Sequence, residues 1–223
     1  IATTDHGIAF PFMKCNLTDH GIGVMLILRG GGFGGGKVVD AMVSQIDVFP
    51  TVCELAGLPV PPWVSGSSLS PLATGEALSL HDEVFAEVTY HAAPEPMRAV
   101  RTSRHKYIRR FEGRSRYAMP NCDDSVSKEE LLKRGWADRP QAQEYLFDLV
   151  FDPNEARNLA ADLAHAAALA DMRSRLERWM RDTKDPLLTG PVKPWPGMFV
   201  NPPGDPSPQG PTVPAEPAGG GQD

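Results

Sequence analysis

The residues best suited to chemistry stand near the amino end, where Asp5-His6-Gly7 follows the strand-like residues 1–4. A carboxylate and an imidazole side by side can ligate a divalent cation, and open α/β sheets bind ligands at the carboxyl ends of their strands. Read as a plain turn, the same three residues are an Asx-type bend with a solvated histidine. Lys14, nine residues on, could bring a cationic group to the same crevice, or be an ordinary surface lysine. A second stretch, Gly31-Gly32-Phe33-Gly34-Gly35-Gly36-Lys37-Val38, nearly spells a phosphate loop, but Val38 stands where the magnesium-binding hydroxyl belongs. It reads as a mobile connector. Cys15, Cys53 and Cys122 show no metal spacing and cannot all pair. Cys53 lies in an apolar helical run and reads as a small core residue. No G-x-S-x-G elbow supports a serine nucleophile. Asn16-Leu17-Thr18 spells a glycosylation sequon.

These groups need elements to hold them. Residues 24–28, Val-Met-Leu-Ile-Leu between glycines, read as a buried parallel strand, and with residues 1–4 they imply an α/β sheet. Asp47 followed by Val48-Phe49-Pro50 predicts a capped helix that Gly57 ends. From Val84 the pattern changes to strand-like runs at 84–88, 98–102, 105–109 and 145–148, an antiparallel sheet. Leu169, Met172, Leu176, Trp179 and Met180 then recur at helical spacing opposite four arginines, an amphipathic helix that packs on that sheet. Beyond Pro186 the chain reads as an irregular arm. Ten prolines and seven glycines fall in residues 190–223, which predicts no secondary structure there.

Composition narrows the classes. The chain has 223 residues, 41% of them hydrophobic, enough for a real core and against fibrous or wholly disordered states. A formal charge of −6 argues against a nucleic-acid binder, and no apolar run is long enough to span a membrane. No export signal is visible in these residues.

Taken in order, the landmarks resemble the C-terminal half of a sulfatase, within the alkaline-phosphatase-like group and nearest its sulfamidase and heparan-sulfatase branch. They are Thr4-Asp5-His6-Gly7, Lys14, Asp19-His20-Gly21-Ile22, the stretch from Val43 through Asp47-Val48-Phe49-Pro50-Thr51, Ala56-Gly57-Leu58-Pro59 and Gly66-Ser67-Ser68-Leu69. Later come Pro96-Met97-Arg98-Ala99-Val100-Arg101-Thr102, Lys106-Tyr107-Ile108, Leu146-Phe147-Asp148-Leu149, Asp152-Pro153-Asn154-Glu155 and Asn158-Leu159-Ala160. The resemblance implies later strands of an alkaline-phosphatase-like sheet over residues 1–80, an antiparallel sheet with its helix over 81–189, and a disordered tail over 190–223.

It also implies an activity, hydrolysis of sulfate esters or sulfamates of a small molecule or saccharide. Asp5 and His6 would be metal ligands, Lys14 would contact the sulfate, and His91 and Arg98 would line the substrate pocket. The metal would be calcium, or manganese if His6 marks the phosphonate and phosphodiester hydrolases of the same group. The family's nucleophile is a formylglycine made from the Cys of C-x-P-x-R, and none of the three cysteines here fits that motif. The chain alone is therefore expected to be inactive, its partner being the N-terminal half of the same protein. Gly23, Met25 and Gln45 replace the family's usual Arg, Pro and His. The alternatives are a phosphonate or phosphodiester hydrolase and a non-catalytic truncated homologue acting as a binding module. The family implies a periplasmic, secreted or lysosomal home.

Overall fold

A computed structural model describes residues 1–219. In chain order its main elements are β1 (Ala2–Thr3), α1 (Asp19–Ile22), β2 (Leu26–Ile27), α2 (Val48–Leu55), α3 (Ser70–Thr74), β3 (Glu83–Tyr90), β4 (Pro94–Thr102), β5 (His105–Arg110), α4 (Val126–Lys133), β6 (Glu144–Asp148), α5 (Ala166–Asp182), β7 (Phe199–Val200) and β8 (Val213–Pro214). They fall into two compact units. One comprises Ile1–Thr4 and Met25–Val84; the other comprises Asp5–Val24 and everything from Phe85 onward. Residues 5–24 thus belong with the later sheet, whereas the family resemblance implies one region over residues 1–80.

In the first unit β1 and β2 pair antiparallel, Ala2 opposite Ile27 and Thr3 opposite Leu26. The parallel, buried strand expected at 24–28 is not what forms: only two of its residues are extended, and Ile27 is 56% exposed. An apolar run bounded by glycines fixes neither partner nor depth, because alternation is absent and the periodicity test is silent. Helix α2 lies where predicted and buries Pro50, Thr51 and Cys53, but Asp47 does not cap it with its side chain. That carboxylate accepts from Ser44 N at 2.7 Å, Ser67 N at 2.8 Å and His81 Nε2 at 2.8 Å. Thr51 Oγ1 donates to Asp47 O at 2.6 Å and accepts from Leu69 N at 2.9 Å. The glycine-rich stretch is a connector with positive φ at Gly30, Gly31, Gly32, Gly35 and Gly36, and Lys37 donates to the carbonyls of Leu72 and Ala73 at the end of α3.

The second unit is built on a four-stranded sheet in the order β3-β4-β5-β6. Antiparallel pairing places Val100 opposite Tyr107 and Tyr107 opposite Leu146, so these three share a face. Leu169, Met172, Leu176 and Met180 of α5 pack on that face as one core, with Trp179 stacked on Phe85 at a centroid distance of 4.9 Å. The amphipathic stripe therefore covers its own sheet. Met97, Ala99, Ile108 and Phe147 on the opposite face form a second core with Leu17 and Leu149. A third, smaller core joins Met119, Cys122 and Trp136 to Phe12 and Tyr117. Helix α4 edges it and is invisible to hydrophobic periodicity, since Val126 is 83% exposed; its start is fixed instead by Ser125, whose hydroxyl accepts from Lys128 N.

The arm after Pro186 departs from the expected disorder. β7 and β8 pair antiparallel, Val192 bridges Ala218, and Val200, Asn201 and Ala218 are buried. Tyr90 explains much of this, its hydroxyl donating to the carbonyl of Val192 at 2.7 Å and accepting from Ala218 N at 3.0 Å. Proline and glycine forbid regular helix and central strand, but they do not prevent side-chain and backbone groups elsewhere from pinning an irregular chain. The end of the expected tail, residues 220–223, lies outside the described residues.

Candidate functional site

The site begins with a knot of charges that holds α1 against the sheet. Lys106 of β5 has no exposed side-chain surface; its ammonium donates to Leu17 O at 2.9 Å, pairs with Asp19 and lies 3.5 Å from Glu155. Arg101 of β4 grips both oxygens of Asp19 at 3.1 and 3.0 Å. Glu155 accepts from the Asp19 backbone N–H. Burial alone would raise the Asp19 carboxyl, but the Lys106 ammonium and Arg101 guanidinium override it and hold it below its usual range. Burial lowers Lys106 and raises Glu155, each against the pull of the other.

Helix α1 in turn carries the Asp5-His6-Gly7 turn. Gly7 N donates to Gly21 O and Ile8 N to His20 O, both at 2.9 Å. A Cβ on Gly7 would sit 2.1 Å from His20 O, and one on Gly21 would sit 2.1 Å from the carbonyls of both Met13 and Asn16. Only glycine permits this approach, so the two glycines set the position of the Asp5-His6 turn. His6 Nδ1 lies 2.8 Å from Gly7 O, which can only accept. That contact places the Nδ1 proton toward Gly7 O, and Nε2 faces Asp5, whose Oδ1 is 3.9 Å away. Asp5 itself is open, its side chain 91% exposed.

Lys14 stands in the same neighbourhood. Its ammonium donates to both oxygens of Asp123, at 3.0 and 2.8 Å, and that hydrogen bond raises it above its ordinary range, with Asp5 contributing in the same sense. His91, in the turn between β3 and β4, has its basicity lowered by desolvation and by the charge of Lys14, with Asp123 pulling the other way. Asn121 docks the Asp123 loop on this turn, accepting from Ala93 N at 2.8 Å and donating to Glu95 at 2.8 Å. The arm closes on it from another side, where Asn201 N donates to Ala92 O at 2.7 Å. Burial pushes the Cys15 thiol up to about 12 and raises Cys122 as well, so neither is a thiolate nucleophile.

Asp5, His6, Lys14 and His91 thus come together in one unit. Arg98 does not join them. It is 2% exposed, paired through Nε and Nη2 with Asp185, and its remaining donors meet the carbonyls of Val88 and Met97 and the hydroxyl of Thr89. Asp123 is the member that sequence reasoning missed. It lies 109 residues from Lys14, and no spacing rule links them.

The sequence profile of the family described as N-sulphoglucosamine sulphohydrolase, C-terminal, matches residues 12–133, more than half of the chain. The chain belongs to this sulfatase family. The match includes Lys14, His91 and Asp123 and begins after Asp5 and His6. A delta 4,5-hexuronate-2-O-sulfatase of Bacteroides thetaiotaomicron is 31% identical over 180 residues, covering 78% of this chain and 32% of that protein. Human N-sulphoglucosamine sulphohydrolase is 29% identical over 221 residues, covering 86% and 43%. The chain therefore spans a third to two fifths of the length of these sulfatases. Among solved structures, a 2-O GAG sulfatase is 27% identical with a TM-score of 0.64, over 87% of this chain and 38% of its own. A phosphonate monoester hydrolase of Agrobacterium radiobacter, 23% identical with a TM-score of 0.56 over 81% and 34%, shares the fold.

Asp5 and His6 suit a divalent cation in donor type: one hard oxygen, one borderline nitrogen. Among the described residues no group of three or more such side chains converges.

Proposed function

We propose that this chain is the C-terminal part of a sulfatase that hydrolyses sulfate esters or sulfamates of a sulfated saccharide. The observation that carries the reading is the convergence of Asp5, His6 and Lys14 on one turn-and-loop assembly, with Gly7 and Gly21 fixing its backbone. A divalent metal, calcium or manganese, would neutralise charge on the sulfate oxygens once bound. Asp5 would offer its carboxylate and His6 its Nε2 to that metal, the imidazole held in one tautomer by Gly7 O. Lys14 would donate to a sulfate oxygen, while Asp123 keeps the ammonium in place. His91 would face the sugar from the neighbouring turn as a neutral imidazole. None of the 223 residues forms C-x-P-x-R, so the nucleophile is assigned to sequence outside them, a formylglycine in the N-terminal part.

The test is the complete protein carrying Asp5→Ala, assayed on an aryl sulfate with metal in excess. Loss of at least a hundredfold in turnover is expected; unchanged turnover overturns the assignment. His6 and the shared fold of the phosphonate monoester hydrolase support a second reading. Preference of the complete protein for an aryl phosphonate monoester over the aryl sulfate would favour it.

A further inference from the structure

Lys14 has three N–H donors, and Asp123 presents both carboxylate oxygens to them, at 3.0 and 2.8 Å. The Lys14 side chain is 17% exposed and the Asp123 side chain 47%, so an anion that reaches the ammonium also meets the carboxylate. As an ion pair Lys14 and Asp123 present a charge near zero, where a bare lysine would present a full unit. Above about pH 7 a sulfate ester or sulfamate carries a single negative charge, whereas a phosphate monoester carries nearly two.

We propose that Asp123 is a specificity-determining residue that, by neutralising Lys14, tunes this site to singly charged tetrahedral esters and against phosphate monoesters. The inference rests on the reading that Lys14 contacts the anion. Repulsion by Asp123 enters once per ligand charge, so its penalty on a dianion is about the square of its penalty on a monoanion. The effect is a rejection of the wrong charge rather than an added attraction for the right one.

The complete protein without added metal, titrated with phenyl sulfate and phenyl phosphate at about pH 8 and low salt, tests this through chemical-shift changes. Asp123→Asn keeps the shape and one acceptor for Lys14, and its melting curve shows whether the fold is kept. It is expected to tighten phenyl phosphate about tenfold and phenyl sulfate about threefold, so that selectivity for the sulfate falls about threefold. Asp124→Asn removes the same charge from a carboxylate that faces Lys128 and Ser207, and is expected to keep the wild-type ratio. Equal factors for both esters, or none, overturn the inference. Lys14→Ala separates the two levels: if it abolishes binding while Asp123→Asn leaves the ratio unchanged, this inference alone fails. Undiminished binding by Lys14→Ala, or no binding of either ester by any variant, removes the reading of Lys14 and the inference with it.

Discussion

Asp47 in the first unit and Asp19 in the second are both carboxylates that tie distant segments together, and they are answered by different partners. Asp47, with no exposed side-chain surface, receives two backbone N–H groups and the His81 ring. Asp19 receives an ammonium, a guanidinium and no backbone donor. The surroundings differ as well. The first unit buries few apolar side chains, Pro50, Cys53, Leu69 and Leu72, and exposes Ile46, Phe49, Val52, Leu55, Leu58 and Trp63. The second adds its knot to three apolar cores. Directional bonds thus carry the shape of the first unit, while in the second they orient elements that burial already stabilises.

The largest effect should come from Lys106→Ala. It leaves Glu155 buried without its cation and Leu17 O without its donor, for a loss of about 3–5 kcal/mol. Urea unfolding followed by exchange of the β5 amides measures it; a loss under about 1 kcal/mol would show that the cores, not the knot, decide stability. Asp47→Ala strands the Ser44 and Ser67 amides at about 1–3 kcal/mol each if they stay dry. Exchange should rise in α2 and leave β4 and β5 protected; equal rises in both units would break the contrast.

A pH series sharpens it further. The folded Asp19 carboxyl lies below its ordinary 3.8, so its contribution is fully present above that pH and is lost as pH falls through the depressed value. Glu155 shifts the other way, so the informative quantity is the difference between wild type and Asp19→Asn. That gap should be about 1–2 kcal/mol at neutral pH and shrink in acid; a constant gap would mean that Asp19 acts through packing. The smallest effect is expected from Trp63→Ser, 75% exposed and stacked on Phe49 at 6.0 Å. Stability should change by no more than about 0.5 kcal/mol, while self-association measured by sedimentation falls if this apolar surface is sticky.

Much of the second unit is legible in the residues. The strands at 98–102, 105–109 and 145–148 and the stripe of α5 announce themselves because burial on one face imposes a local period, and local periods survive in a sequence. The ordered landmarks pointed to the family, and the structure shows what several of them do: Asp19, Arg101, Lys106 and Glu155 converge in one knot. Residues 24–28 misled because five apolar residues in a row carry no phase.

By itself the sequence determined the elements with a period and the adjacency of Asp5 and His6, since neighbours in the chain are neighbours in space. Tertiary structure decided which charges meet. It turned Arg98 inward to Asp185, brought Asp123 to Lys14, and pinned a proline-rich arm to Tyr90 and Ala92. Those partners lie tens of residues to more than a hundred apart. Their meeting follows from how sheet, helix and loops pack, and one side chain's type cannot encode the position of another so far along the chain.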